Sequence, residues 1–470
     1  MKTNGKIVVN ASSGGILNPP NGNFYNASKA ALISFYESLR FEVSPTITIT
    51  ILTLGFVNTN LITAKYSTNG GGVHRRKDIG SVLPTMDVEP CTKAIVDGVC
   101  KVCTHYVIWY IDQDLDKLNV YFLILIYLLQ KAAKNFHSRE IICGVNIASM
   151  YEACFNNKFT NALVLYVFLL LLLLISPFLF IWELIMNIQS FFQRVENISG
   201  KVVLITGAST GLGELMAYEY AKRGACLVLV AIEEPDSRLE HVAERARELG
   251  SPDVLFVFAD VSKVDESKKF VDDTIEQFGR LDHLVCNAGI GPIYSIDIEV
   301  TKYTPVMDIN FWGSVYPTHF AIPHLMKTNG KIIVNASTGG VLNPPKGGFY
   351  NASKAALISF YESLRFEVSP KITITILTLG FVQTNMITAR YSTGGVGVHI
   401  KKDMGSLYPT MGAEPCAKAI VDRVCEGATS ITEPRFYKAL FLIKWLFPQL
   451  HRLYFKIYFS SNYGQLEVEE

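Results

Sequence analysis

A tyrosine and a lysine four residues apart are the most chemically suggestive pair in the sequence. Tyr350 and Lys354 lie in FYNASKAALISFYESLRFEV, which has helical periodicity, and residues i and i+4 share a helix face. A nearby ammonium favours the phenolate and lowers the pKa of a tyrosine, which is otherwise about 10. Ser337 ends the preceding predicted strand, so its hydroxyl is placed to bond the same substrate oxygen. The pattern predicts proton exchange with a substrate hydroxyl or carbonyl.

A glycine-rich stretch lies between the first predicted strand and a helix. It reads Thr206-Gly207-Ala208-Ser209-Thr210-Gly211-Leu212-Gly213. Glycines permit a tight turn and let backbone N–H groups approach a pyrophosphate at the positive end of the helix. The spacing is GxxxGxG rather than the commoner GxGxxG. Its position at the start of a strand–helix alternation predicts the phosphate site of a dinucleotide.

The elements that must position these residues alternate between strand and helix over 200–430. Six apolar, β-branched runs are predicted strands, at 202–208, 226–232, 253–260, 283–289, 331–337 and 372–380. Helical patterns lie between them, such as 237–250 and 267–279. Near-continuous apolar strands separated by helices indicate a parallel sheet covered on both faces. We therefore predict an α/β fold with a doubly wound, Rossmann-like parallel sheet, whose strand ends meet at one ligand crevice.

Composition excludes several classes of protein. The 470 residues include 43 basic and 42 acidic ones, and 49% are hydrophobic, so the chain is too apolar for a disordered protein. Without a basic excess we expect no nucleic-acid partner. Nine cysteines are too few for a disulfide scaffold, and no metal site is predicted. The mean hydropathy of +0.24 favours membrane segments.

Two stretches fit contact with a membrane. Residues 162–182 carry no charge and have the length of a membrane-spanning helix, although Pro177 would kink it or turn the chain back in a hairpin. We predict an anchor over 158–195. Residues 435–459 mix basic, aromatic and aliphatic side chains, which is typical of a helix lying on a membrane; a dimer contact or a lid on its own domain is the alternative for this amphipathic segment, 431–470.

A long internal repeat organises the chain. Residues 1–100 align without a gap onto 326–425, with 80 of 100 positions identical. The first copy lacks the glycine-rich turn and the first four strands of the sheet, whereas 196–430 holds a complete domain. Residues 101–157 match nothing in the second copy and form a predicted linker of uncertain structure.

The first copy retains four residues of the site, Ser12, Tyr25, Lys29 and Thr59. Because it has no nucleotide turn, we predict that it does not bind a dinucleotide and is catalytically silent. It is either a partial tandem duplication, a gene model that joins two neighbours, or a segment that docks on the full domain as a partner.

The motifs together resemble the short-chain dehydrogenases/reductases over about 200–430. The residues that carry the resemblance are Gly207-x-x-x-Gly211-x-Gly213, Asn287-Ala288-Gly289, Ser337 and Tyr350-x-x-x-Lys354. The greasy segment before the domain, and Lys222-Arg223-Gly224-Ala225-Cys226, look like the plant steroleosin group, which are 11-beta-hydroxysteroid dehydrogenase-like proteins of oil bodies.

The resemblance implies roles for further residues. Ser337, Tyr350 and Lys354 would be catalytic, Lys354 would also bind the ribose, and Asn310 would join them through a proton relay. Asp260 and Val261 would contact the adenine, Asn287, Ala288 and Gly289 would line the cofactor site, and Thr384 would hold the nicotinamide amide. The last motif departs from the usual Pro-Gly, because it reads Leu379-Gly380.

The choice of cofactor stays open between NADP and NAD. The resemblance favours NADP, whose users commonly carry an arginine after the second strand to pair with the 2′-phosphate. Here Ile232 stands at that place and Glu233 follows, and an acid there favours the ribose hydroxyls of NAD.

The expected function is a membrane-anchored oxidoreductase. A hydride would pass between a nicotinamide cofactor and a hydroxyl or keto group of a hydrophobic, steroid-like substrate. The expected partners are that small molecule and a membrane or lipid droplet, with a homodimer as a further option, and the expected location is the lipid droplet or endoplasmic reticulum. The alternative is a catalytically vestigial protein of the lipid-droplet or endoplasmic reticulum surface.

Overall fold

The structure is a computed structural model, and it divides into two compact units. It describes residues 5–43, 47–55, 67–68, 71–72, 88–100, 105–106, 195–233, 235–291, 300–384, 392–393, 396–397 and 410–462. One unit comprises Met1–Ile51 with Arg194–Glu470, and the other Leu52–Gln193. The apolar run 162–182 lies outside the described residues, as does the predicted linker apart from 105–106. Within the described ranges, no helix is both long and apolar enough to cross a bilayer.

The first copy forms a small α/β layer within the larger unit. Its elements are β1 (Gly5–Asn10), α1 (Gly14–Leu17), α2 (Asn23–Val43) and β2 (Ile47–Leu52). Strand β1 lies beside β2, and Val9, Ile49, Ile51 and Leu39 form their apolar core. The smaller unit contains β3 (Ser67–Thr68), β4 (Gly71–Gly72), α3 (Val88–Cys100) and β5 (His105–Tyr106).

A seven-stranded parallel sheet forms the centre of the larger unit. Its strands are β6 (Val202–Thr206), β7 (Cys226–Ala231), β8 (Val254–Phe258), β9 (His283–Cys286), β10 (Lys331–Asn335), β11 (Thr373–Leu379) and β16 (Ser430–Glu433). The spatial order is β16-β11-β10-β9-β6-β7-β8, and every pairing is parallel. The six predicted strands and the doubly wound sheet are confirmed. The seventh strand was not predicted, because SITE is short and half polar.

Helices cover both faces of this sheet. They are α4 (Gly211–Ala221), α5 (Arg238–Glu248), α6 (Val264–Phe278), α7 (Thr304–Met307), α8 (Gly313–Thr328), α9 (Gly339–Leu342), α10 (Gly348–Val368), α11 (Ala413–Cys425), α12 (Tyr437–Leu446) and α13 (Pro448–Asn462). A 3₁₀ turn at Val300–Tyr303 precedes α7, and a π turn at Asp308–Trp312 joins α7 to α8. Two-residue strands β12 (Val382–Gln383), β13 (Ser392–Thr393), β14 (Val396–Gly397) and β15 (Met411–Gly412) complete the described elements.

The core explains why the strands are almost entirely apolar. Successive strand residues face opposite sides of a sheet. Leu227 and Leu229 of β7 accordingly join one buried cluster, while Val228 and Val230 join the other. Each strand therefore buries both of its faces, as expected of a parallel sheet covered by helices on both sides.

Helix α2 of the first copy packs along α10 of the second within the larger unit. The two helices carry the same sequence block, and the second of them carries the predicted tyrosine and lysine. The first copy therefore lies against the predicted catalytic helix.

Candidate active site

Helix α10 positions the tyrosine and lysine one turn apart. The Nζ atom of Lys354 lies 5.7 Å from the centroid of the Tyr350 ring, and the amine donates a hydrogen bond to the main-chain oxygen of Asn335 at 2.8 Å. Lys354 is buried, and burial lowers its pKa to about 8. The structure thus places a cationic group of reduced basicity beside the phenol.

Ser337 lies just beyond the end of β10 and beside the tyrosine. Its Oγ accepts a hydrogen bond from the N–H of Gly339 at 3.0 Å and lies 3.4 Å from the oxygen of Leu379. A Cβ built on Gly339 would fall 3.4 Å from Oγ of Ser337 and 3.5 Å from Cε1 of Tyr350. Both hydroxyl-bearing side chains therefore border the same small space, as the sequence predicts.

Asn310 is buried and held by three hydrogen bonds. Its Oδ1 accepts from the N–H of Ile290 at 2.8 Å, and its Nδ2 donates to the Ile290 oxygen at 2.9 Å and to Oγ of Ser353 at 3.0 Å. The residue lies in the π turn before α8, a feature often found at functional sites. A Cβ on Gly289 would lie 3.0 Å from Oδ1 of Asn310 and 3.4 Å from Nζ of Lys354, so these three residues converge.

The glycine-rich turn is stitched to the neighbouring strand. Gly207 has φ +63°, which disfavours other residues, and a Cβ on Gly213 would overlap the carbonyl oxygen of Gly207. Nδ2 of Asn287 donates to the oxygens of Thr206 and Gly207 at 3.1 and 3.2 Å. The absence of side chains at these glycines leaves the first turn of α4 open to a phosphate, whose charge the helix N-terminus favours.

Other predicted cofactor residues lie around the same strand ends. Ser209 and Thr210 fall in the turn itself, and Leu212 lies in the first turn of α4. Thr384 faces the turn, since a Cβ on Gly211 would lie 3.7 Å from Cβ and Cγ2 of Thr384.

Asp260 and Val261 follow β8, two strands away from the turn. Asp260 binds the N–H of Ser262 through Oδ1 at 2.9 Å. Val261 is buried against α8, where a Cβ on Gly313 would meet its Cγ2 at 2.6 Å. Both lie at the carboxyl edge of the sheet, but their contacts run to this edge rather than to the tyrosine and lysine.

The residues that would select the cofactor follow β7. Ile232 and Glu233 are both exposed there, and Ile232 has 58% of its surface accessible. The side chains at this edge are thus one apolar group and one acid.

Three supporting residues were not predicted. Oγ1 of Thr206 accepts from the N–H groups of Asn287 and Ala288 at 3.0 and 3.2 Å, and Nδ2 of Asn335 donates to Oδ1 of Asn287 at 2.9 Å. Thr206 and Asn335 are polar residues that end buried strands, which is a usable signal. The third, Ser353, is one of many small residues on a helix, and nothing in the sequence distinguishes it.

The first copy repeats part of this geometry at the surface. Nζ of Lys29 lies 5.6 Å from the centroid of the Tyr25 ring and 3.1 Å from the oxygen of Asn10. Tyr25 is 46% exposed, and Oγ of Ser12 accepts from the N–H of Gly14 at 3.2 Å. Thr59 lies outside the described residues. No sequence before this copy supplies a glycine-rich turn or an equivalent of Asn310.

The fold and the arrangement of side chains define an oxidoreductase of the dinucleotide-dependent type. A family model for short chain dehydrogenases matches residues 1–70 and 201–394, which together make up more than half of the chain. The chain therefore belongs to the short-chain dehydrogenase family and is an NAD(P)-dependent oxidoreductase of that family.

Named relatives agree with this family. The chain is 46% identical to 11-beta-hydroxysteroid dehydrogenase 1A of Arabidopsis thaliana over 288 residues, 60% of this chain and 82% of that one. It is 42% identical to 11-beta-hydroxysteroid dehydrogenase A of Sesamum indicum over 310 residues, 65% and 88% of the two chains. An alcohol dehydrogenase structure from Thermococcus sibiricus, complexed with 5-hydroxy-NADP, matches at 26% identity and TM-score 0.43 over 50% of this chain and 96% of that chain.

Proposed function

We propose that this chain interconverts a hydroxyl and a keto group on a hydrophobic, steroid-like substrate. The observation that carries the proposal is the buried amine of Lys354 beside the Tyr350 ring, with Ser337 bordering the same space. The relatives named 11-beta-hydroxysteroid dehydrogenases support the substrate class. The bound nicotinamide would accept or supply the hydride at its C4 carbon.

Each side chain has a distinct part in this proposal. Tyr350 takes the proton of the substrate hydroxyl during oxidation and returns it during reduction. The ammonium of Lys354 favours the phenolate and binds the ribose, and the hydroxyl of Ser337 donates to the substrate oxygen and fixes its position. Asn310, bonded to the main chain of Ile290, helps to return protons to the site.

The cofactor fits the residues around the glycine-rich turn. The turn and the N-terminus of α4 would hold the pyrophosphate, with Asn287 to Gly289 beside it, Asp260 and Val261 toward the adenine and Thr384 toward the nicotinamide amide. The family resemblance favours NADP, whereas exposed Glu233 after β7 favours NAD. Measuring turnover with each cofactor separately decides between them.

We also propose that the chain works at a lipid surface. The two helices α12 and α13 expose large apolar side chains, listed here: Leu442, Trp445, Leu446, Phe447, Leu450 and Leu453. Basic residues interrupt them, including Lys438 and Lys444, as in helices that lie on membranes. With the predicted anchor over 158–195, this supports a location at the lipid droplet or endoplasmic reticulum. Full recovery of the expressed chain in the high-speed supernatant of fractionated cells would contradict it.

A matched pair of variants tests the catalytic proposal in the full chain. Tyr350→Phe removes the proton-transferring hydroxyl, so we expect turnover of a steroid alcohol panel with NAD or NADP to fall by about 10²–10⁴-fold. Tyr25→Phe makes the same change in the first copy and should leave turnover unchanged. Cofactor-dependent turnover that survives in Tyr350→Phe overturns the mechanism, and a folded wild-type chain without turnover favours the vestigial alternative.

A further inference from the structure

The contact between helices α2 and α10 is symmetric. Position n of the first copy corresponds to position n + 325 of the second. Nδ2 of Asn26 donates to Oγ of Ser363 at 2.9 Å, and Nδ2 of its counterpart Asn351 donates to Oγ of Ser38, the counterpart of Ser363, also at 2.9 Å. Each bond is therefore repeated with the two copies exchanged.

The same exchange holds across the whole contact. Four more pairs of bonds and ring contacts follow it, listed with their distances: Ser34 with Asn343 at 2.6 Å and Ser359 with Asn18 at 2.5 Å; the N–H of Asn21 with Glu367 at 3.1 Å and the N–H of Lys346 with Glu42 at 3.0 Å; Phe35 with Phe349 at 4.8 Å and Phe24 with Phe360 at 5.1 Å between ring centroids. Both ring pairs are inclined by 58°. A surface that binds a copy of itself in this reciprocal way is an isologous interface, the kind that builds two-fold dimers.

The centre of the contact is dry and fully paired. Asn26, Ser38, Asn351 and Ser363 are each no more than 1% exposed, and each takes part in a bond across the contact. Because a buried polar group without a partner is costly, this arrangement favours one partner of matching sequence. The partner present in the structure is the first copy of the same chain.

We propose that the first copy is an internal partner that fills the self-complementary face of α10 and so closes it to a second chain. The chain is then a pseudo-dimer in which only one half carries an active site. This inference rests on the reciprocal contacts and stands whether or not the proposed substrate is right.

The internal partner also supports the catalytic helix. Ser38 binds Asn351, the residue after Tyr350, and the ring of Phe24 stacks on Trp312 at 5.7 Å. Trp312 ends the π turn that holds Asn310. The first copy therefore contacts both elements that carry the proposed proton-transfer residues, without contributing a group of its own.

Cross-linking the full chain tests the closed face. The N–H of Lys346 contacts the carboxylate of Glu42 at the accessible edge of the interface. We expect the variant Glu42→Cys with Lys346→Cys, treated with the short thiol cross-linker dibromobimane, to link positions 42 and 346 within one chain. Its denatured mass should remain that of one chain. The reciprocal variant, Asn21→Cys with Glu367→Cys, should behave in the same way and covers the case in which the first fails to fold.

Two control variants report pairing between chains. Asn21→Cys with Glu42→Cys places both thiols at opposite ends of α2, and Lys346→Cys with Glu367→Cys does the same for α10. About 20 residues of helix separate such ends by about 30 Å, so a link within one chain is out of reach. We expect these controls to give no more product than the unsubstituted chain with its nine native cysteines. A linked product of twice the chain mass in any variant, or no link in either reciprocal variant, overturns the proposal.

Discussion

The Nζ atom of Lys354 lies 5.7 Å from the centroid of the Tyr350 ring while it donates to the main-chain oxygen of Asn335. The tyrosine and lysine come from one helix, but the oxygen that aims the amine comes from the end of β10. The position of the charge therefore depends on the sheet as much as on the helix. The matching lysine of the first copy, Lys29, has the same spacing to its tyrosine but lies beside a partial sheet.

Lys354→Met should remove most of the activity, because it removes the positive charge that favours the Tyr350 phenolate. We expect kcat to fall by about 10²–10³-fold, within the range that acid–base groups contribute. Lys29→Met makes the same change in the first copy, and steady-state kinetics should show no loss. Equal losses in the two variants would contradict a single active site.

The same lysine should leave a signature in the pH dependence of stability. Its pKa is about 8 in the folded chain because of burial and about 10.4 when unfolded, so between these values the unfolded state binds more protons. Stability gained from this group therefore rises with pH across that window. We expect the unfolding free energy of the wild type, relative to Lys354→Met, to increase by about 2 kcal/mol from pH 7.5 to 9.5.

Urea unfolding of the two proteins at both pH values measures this difference. Lys444, another buried lysine whose pKa burial lowers to about 8, is present in both proteins and cancels in the comparison. A constant gap between the two proteins would mean that Lys354 does not carry its charge into a buried site.

Gly213→Ala should abolish tight binding of the dinucleotide. The added Cβ would overlap the Gly207 oxygen, so the turn and the N-terminus of α4 must move apart, which costs about 1–3 kcal/mol in a packed site. We expect the Kd for NADH and NADPH to rise by at least about tenfold. Gly5→Ala is the control, since its Cβ would meet no atom within 4 Å. Fluorescence titration checks both, and unchanged binding in Gly213→Ala would remove the turn from the cofactor site.

Much of the sheet and the centre of the site was predictable because their signals are local. Apolar runs mark the strands, and Tyr350 and Lys354 are brought together by helical spacing alone. Ser337 needed one further assumption, that the strand before it ends at the crevice, and the structure supports that placement. Strand β16 escaped notice because Thr432 and Glu433 are buried polar residues, which a pattern of apolar residues does not reveal.

The packing of the two copies was not predictable in the same way. The first copy lacks four strands, so by itself it suggests an incomplete sheet. Its place against α10 depends on reciprocal contacts such as Asn26 with Ser363, which join residues 337 positions apart. Identity between two segments indicates a duplicated surface, but only the structure shows that the duplicate covers the original.

Ser353→Ala tests whether the π turn must be tied to the catalytic helix. Oγ of Ser353 donates to the oxygen of Tyr350 at 2.7 Å and accepts from Nδ2 of Asn310 at 3.0 Å, so its loss frees one side of Asn310. We expect kcat to fall about tenfold, equivalent to the roughly 1 kcal/mol of one hydrogen bond, with the KM for the cofactor unchanged. Ser28→Ala removes the equivalent hydroxyl, which bonds only the oxygen of Tyr25 among its described contacts, and should leave kcat unchanged. If Ser353→Ala lowers stability alone, as a helix-packing residue would, Asn310 does not need this support for proton transfer.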